Sequence, residues 1–326
     1  MTEALNIKIE KFIFHVVHNG KSSPTLMDDT PIGAFEGFFV NRIREIINGN
    51  RFNFQDDSPF LSALKAIDAD PSNFVAKSKE LANIFHAGPD RRIKPGVMIL
   101  IYADIDGVKK YILIKYDHEE VITYTEKTAG QAILSEISNT FVKSGQALQK
   151  SAIINLADTV AGAIIIDKSE RNDITDFFKG FLAVKRFYTA ATLTEKANDC
   201  FKATIRDHQA ILPGDFTSHA SINFYDYVQK TDNFNPNQAA KDLFGIHFTD
   251  EIGRTFDRKL TKADISGEEF AFDKRVIKKP RKNKFRTQEG VLIQYDDIAK
   301  NTVQIEAVGD KTKITILTNK LIEQPS

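Results

Sequence analysis

The stretch KRVIKKPRKNKFR, residues 274–286, limits the fold more than any other part of the chain. Eight of its thirteen residues are cationic (Lys274, Arg275, Lys278, Lys279, Arg281, Lys282, Lys284 and Arg286) and none is acidic. Charge at this density cannot enter a core without counter-charges, so the stretch belongs at the surface. Pro280 lacks a backbone donor and fixes its own φ, so the stretch cannot be one regular helix. The expected form is an exposed arm or loop anchored by the apolar Phe272, Val276, Ile277 and Phe285. The whole chain balances 44 basic against 44 acidic residues, which makes the run a local asymmetry. Two readings stand side by side. In one, carboxylates elsewhere on the fold balance a solvated cationic face. In the other, a polyanion completes it, and nucleic acid is the obvious long anion because its phosphates release counterions to Lys and Arg.

The rest of the chain supplies the frame. Its 326 residues suit two or three domains. Residues 7–18, IKIEKFIFHVVH, read as a first strand. Three helix starts repeat one device, a capping residue followed by Pro: Thr30–Pro31, Ser58–Pro59 and Asp70–Pro71, the last helix stopping near Gly88–Pro89. Val97–Ala103 and Lys109–Tyr116 flank Asp104–Ile105–Asp106–Gly107 as a hairpin. Val121–Tyr124 is a further candidate strand. Ile133, Ile137 and Phe141 fit a helix or a strand, and Ala152–Leu156 and Ala161–Ile166 look like short strands. The polar KSERND after Asp167 marks a first boundary. A helical middle follows: Asp173 as a cap, a capping box at Thr192–Glu195, and helices over 217–230 and 236–244. From about residue 268 the period returns to two, with a strand at Val291–Tyr295 and a hairpin of Val303–Val308 with Lys313–Leu317. The expected class is α+β: a mixed N-terminal domain over 1–167, a helical region over 168–247, and a small β-rich module over 248–326 that carries the basic segment.

Catalytic and metal chemistry finds little footing. His15 and His18 form an H-x-x-H on a strand, where positions three apart face opposite ways and cannot share a metal. Gly20–Lys21–Ser22 lacks the upstream glycine of a phosphate loop, His15 standing in its place. A metal-dependent nuclease would use Asp104 and Asp106 with Lys115, but Leu113 occupies the position of the second acid. Cys200, the single cysteine, falls on an apolar helical stripe and reads as a small core residue. It fits a reducing compartment. No cofactor motif is present. The N-terminal MTEALNIKIEKF has no signal-peptide character, and no run approaches the roughly 18 apolar residues of a span, so a cytoplasmic protein without a membrane partner is expected.

Several segments resemble the bacterial nucleoid-associated protein family (NdpA-like). They are IKIEKFIFHVV, the stretch FFKGFLAVKRFYTAATLTEKANDCF at 177–201, and FAFDKRVIKKPRKNKF followed by VLIQYDDIAKNTVQIEAV. The likeness runs from about residue 5 to 322. It implies a cytoplasmic protein of the nucleoid that binds double-stranded DNA as a homodimer, with no known catalytic reaction and no catalytic residues to carry over. The eight cations are the DNA-binding candidates on their own charge, through contacts mostly to phosphates. The zero net charge and 25 Phe residues keep open a protein-interaction scaffold, with a topoisomerase or a defence-system protein as partner. A metal-dependent nuclease is the third alternative.

Overall fold

A computed structural model describes residues 5–87, 94–117, 125–128, 131–133, 148–157, 162–170, 172–296 and 302–318. The protein is α+β. It divides into two compact units, Met1–Thr189 with Gly267–Phe270, and Ala190–Ser266 with Ala271–Ser326.

The first unit is built on an eight-stranded antiparallel sheet. Its strands in chain order are β1 (Ile7–Val17), β2 (Thr25–Leu26), β3 (Asn50–Phe54), β4 (Gly96–Ile105) and β5 (Val108–Asp117). After a separate hairpin, β6 (Thr125–Thr128) with β7 (Gln131–Ile133), come β8 (Leu148–Ile154), β9 (Ala163–Asp167) and β10 (Val184–Arg186). The order across the sheet is β10-β3-β9-β8-β5-β4-β1-β2. Both faces are covered. On β4, Val97, Ile99 and Ile101 join the core of helix α1 (Glu36–Ile46), while Met98 and Leu100 join that of α2 (Pro59–Ala69), α3 (Phe74–His86) and α4 (Asp176–Leu182). That is why β4 reads as an unbroken apolar run rather than an alternating one. A register shift between Ile9 and Lys11 changes the facing of β1, so Ile7 and Ile9 share a core with Phe12 and Phe14. The β4–β5 turn forms as expected. Asp106 (φ 51°) and Gly107 (φ 82°) both adopt the positive φ of a two-residue hairpin loop.

The Pro-initiated helix starts are realised unevenly. Ser58 Oγ accepts from Leu61 N at 3.0 Å and Pro59 is the first residue of α2. Asp70 caps a 3-10 turn, Pro71–Asn73, that leads into α3. Thr30–Pro31 does not open a helix. Thr30 Oγ1 donates back to Asp28 O, and α1 begins only at Glu36 after a 3-10 turn. The capping box at Thr192 is also absent. Helix α5 (Ala190–Asp207) has already begun, and Thr194 Oγ1 donates to Ala190 O within it. Asp173 accepts from Ile174 N, but Thr175 is the residue that precedes α4. The expected features at Gly88–Pro89, Val121–Tyr124, Ile137 and Phe141 lie outside the described residues.

Two buried polar clusters close this unit. Asp167 lies inside it, and the chain beyond it is pinned back. Its carboxylate pairs with Lys150 at 2.5 Å and accepts from Thr175 N and Oγ1 at 2.9 and 2.8 Å. Burial raises its proton affinity, but Lys150 and Thr175 outweigh that and hold the carboxyl below the usual range. The second cluster is made by residues 267–270. The fully buried Glu268 accepts from Arg51 N at 2.9 Å and Arg186 Nη2 at 2.7 Å, and Glu269 N donates to Asn50 Oδ1. Gly267, at φ +77°, makes the turn possible, because a Cβ there would lie 2.7 Å from Asn48 Cβ.

The second unit is helical: α5, α6 (Gly214–Ser218), α7 (Ala220–Lys230), α8 (Pro236–Phe244) and α9 (Asp250–Lys262). Phe201, Phe224 and Phe244 form its aromatic centre, with Phe256 against Phe244. Asn235 caps α8 ahead of Pro236. Two hairpins follow, Lys282–Arg286 with Leu292–Asp296 and Val303–Val308 with Lys311–Ile316.

Candidate nucleic-acid interface

The basic stretch begins on a fixed base. Phe272 is 8% exposed and meets the rings of Phe224, Tyr227 and Phe234 at 6.4, 5.7 and 6.0 Å. Its N–H donates to Asp232 O at 2.9 Å, and Asp273 N donates to Thr194 Oγ1 at 3.1 Å. Ile277 is also 8% exposed, so the backbone is held from 272 to 277.

Two of the eight candidate cations are already balanced within this base. Arg275 donates to Asp273 through Nε at 2.9 Å and Nη2 at 2.8 Å, and its backbone N–H reaches the same carboxylate. These bonds hold the Asp273 carboxyl below the ordinary range. Lys274 Nζ donates to Asp232 Oδ1 at 2.9 Å and Gln229 O at 3.3 Å, which holds Asp232 down in the same way.

Beyond Ile277 the balance is lost. Lys278, Lys279, Arg281, Lys284 and Arg286 are exposed, and none has a carboxylate within ion-pair distance among the described residues. The backbone of Lys282 opens the strand Lys282–Arg286, which pairs with Leu292–Asp296. The strand sets Lys284 and Arg286 on one face. On the other, Phe285 lies flat against Tyr295, ring centroids 6.0 Å apart. Phe285 is therefore not an anchor in the core. At 41% exposed it braces a hairpin instead. The sequence reading found the cations but missed Asp232 and Gln229. Neither lies near the run in sequence, and no periodicity points from one to the other.

The rival sites dissolve into structural roles. Asp104 accepts from Gly107 N at 2.7 Å and pairs with Lys109, while Asp106 accepts from Asn6 N at 2.8 Å. Lys115 is buried and donates to Lys94 O, about 20 Å along the strand from that turn. His15 is buried with both nitrogens engaged: Nδ1 accepts from Met27 N, and Nε2 meets Ser78 Oγ, whose own proton goes to Val75 O. Cys200 is buried, and burial pushes its thiol up to about 11. Among the described residues no group of three or more His, Cys, Asp or Glu could hold a metal ion. No helix among them is long and apolar enough to cross a membrane.

The family model described as nucleoid-associated protein YejK matches residues 13–319, nearly the whole chain. A comparison with curated proteins finds no match.

Proposed function

We propose, from the premise that this chain belongs to the family of nucleoid-associated protein YejK, that it is a non-enzymatic protein that binds double-stranded DNA through its basic segment. A nucleoid-associated role follows from the family itself. The observation that carries the finer reading is the division within the basic run. Lys274 and Arg275 are satisfied by the protein's own carboxylates, whereas Lys278, Lys279, Arg281, Lys284 and Arg286 stand exposed without one among the described residues. An array of this kind is complementary to a row of phosphates and indifferent to base sequence. The direct test is anisotropy of labelled duplexes of unrelated sequence over a salt series. Binding that weakens steeply with salt and hardly varies with sequence is expected. No binding at about 50 mM salt would refute the reading.

A homodimer is part of the proposal, and the last hairpin supports it. The strand register puts Val303, Ile305, Ile314 and Ile316 on one face, and Ile305 and Ile316 are 43% and 56% exposed. An amphipathic two-stranded hairpin is marginal in water unless its apolar face is covered. Light scattering should give twice the 36.7 kDa chain mass. A monomer would favour a different protein as the partner for that face.

A further inference from the structure

Within the second unit, the cationic segment forms one wall of an open, solvent-facing cleft of about 550 Å³. Lys278, Lys279 and Arg281 supply the charge of this wall, and Ile277 and Pro280 its apolar surface. The facing wall is helix α7. Phe224 and Val228 turn into the core, which leaves Tyr225 and Gln229, one helical turn apart, toward the cleft. Lys274 bridges the walls through its bonds to Gln229 O and Asp232. Among the described residues, no carboxylate lines the cleft.

The two walls differ in chemistry. One offers charge. The other offers an aromatic ring and uncharged donors. Neither the Tyr225 hydroxyl nor the Gln229 side-chain amide has a hydrogen-bond partner among the described residues. A simple inorganic anion would use only the cationic wall. A ligand that is anionic at one end and a less polar ring at the other uses both, and the sugar–phosphate unit of a nucleic-acid strand has that composition.

The geometry points to helix α7 as a second, uncharged wall of the DNA site, with one sugar–phosphate unit seated between Tyr225 and Gln229 and the segment Lys278–Arg281. Tyr225 packs against the sugar and its hydroxyl donates to a phosphate oxygen. Gln229 donates from one turn further along. Lys274 is a positioning residue that sets the width of the cleft. This assignment rests on the proposed binding of duplex DNA by the basic segment.

The test is duplex binding by the full chain carrying Tyr225→Phe with Gln229→Ala, across the salt series used for the unaltered protein. Loss of two hydrogen bonds from uncharged donors, one of them to an anionic phosphate oxygen, should weaken binding about thirtyfold. The slope of log affinity against log salt should not change, because neutral donors release no counterions. The loss should be equal for unrelated duplexes. Tyr225→Phe alone keeps the ring, so it reports on the hydroxyl even if the double variant folds poorly, and about a tenfold loss is expected for a bond to a charged acceptor. Affinity within about twofold of the unaltered protein in both variants, with neutralisation of Lys278, Lys279 and Arg281 still weakening binding and lowering its salt slope, overturns the cleft and leaves the basic segment standing. If the unaltered protein binds no duplex, the function proposed above falls, and the cleft with it.

Discussion

Replacing Lys278, Lys279, Arg281, Lys284 and Arg286 together with Ala removes the five exposed cations of the basic segment that have no carboxylate partner among the described residues. Each phosphate neutralised on B-form DNA contributes about 0.9 to the slope of log affinity against log salt, so five contacts set a ceiling of about 4.5 on the change. Between about 50 and 200 mM salt, a fourfold range, a slope of that size corresponds to roughly a 500-fold change in affinity. The variant should therefore bind weakly and almost independently of salt over that range. The matched control is Asp273→Asn with Arg275→Gln. It removes one charge of each sign from a pair already closed on itself at 2.8 Å. Its slope should stay within about 0.5 of the unaltered protein, since no phosphate contact is lost. Anisotropy of a labelled duplex, with circular dichroism to confirm the fold, reads both. If the five-fold variant keeps the original slope, or the control loses as much as the variant, the division of the run into satisfied and unsatisfied cations is wrong.

Three further outcomes concern the first unit. Glu268→Ala strips the acceptor from Arg51 N and Arg186 Nη2 in a fully buried setting and should cost about 3–5 kcal/mol in urea unfolding. A loss below about 1 kcal/mol would contradict the cluster's structural weight. His15 is held neutral by burial, its pKa lowered from 6.5 to about 3. The unfolded chain thus takes up a proton below pH 6.5 that the folded protein refuses, and stability should fall with acidification by up to about 1.4 kcal/mol per pH unit between those values. An NMR titration placing the His15 ring near 6.5 would argue against this. Gly267→Ala, at φ +77° and 2.7 Å from Asn48 Cβ, should lower the melting temperature, reflecting about 1–3 kcal/mol of strain; an unchanged melt would show that the turn can relax.

Much of the frame was legible in the sequence because local chemistry alone decided it. Ser58–Pro59 and Asn235–Pro236 cap and start helices without help from distant residues. The Asp106–Gly107 loop sets its own hairpin. Where distant groups decide, the reading failed. Thr192–Glu195 has the pattern of a capping box, but packing of Leu193 and Ala197 extends α5 back to Ala190. Helix α9 went unread although Thr249 caps it and Ile252, Phe256 and Leu260 make its buried stripe, because its charged residues mask that stripe. At the candidate site, the density of Lys and Arg was visible at once. Which of them are free was not, since Asp232 lies 42 residues before Lys274.

The backbone leaves the first unit at residue 189 and returns for only four residues, Gly267–Phe270, before it reaches the cationic segment. A deletion mutant ended near residue 189 would therefore be missing a piece of its own interior: Asn50, Arg51 and Arg186 would face an empty slot. Expression of the N-terminal fragment alone should give an insoluble or proteolytically fragile product, and a synthetic peptide spanning 267–270 would be the natural reagent for rescuing it. Gene fusions that divide the polypeptide are better placed at the hairpin loop around Gly309, beyond the last of these crossings.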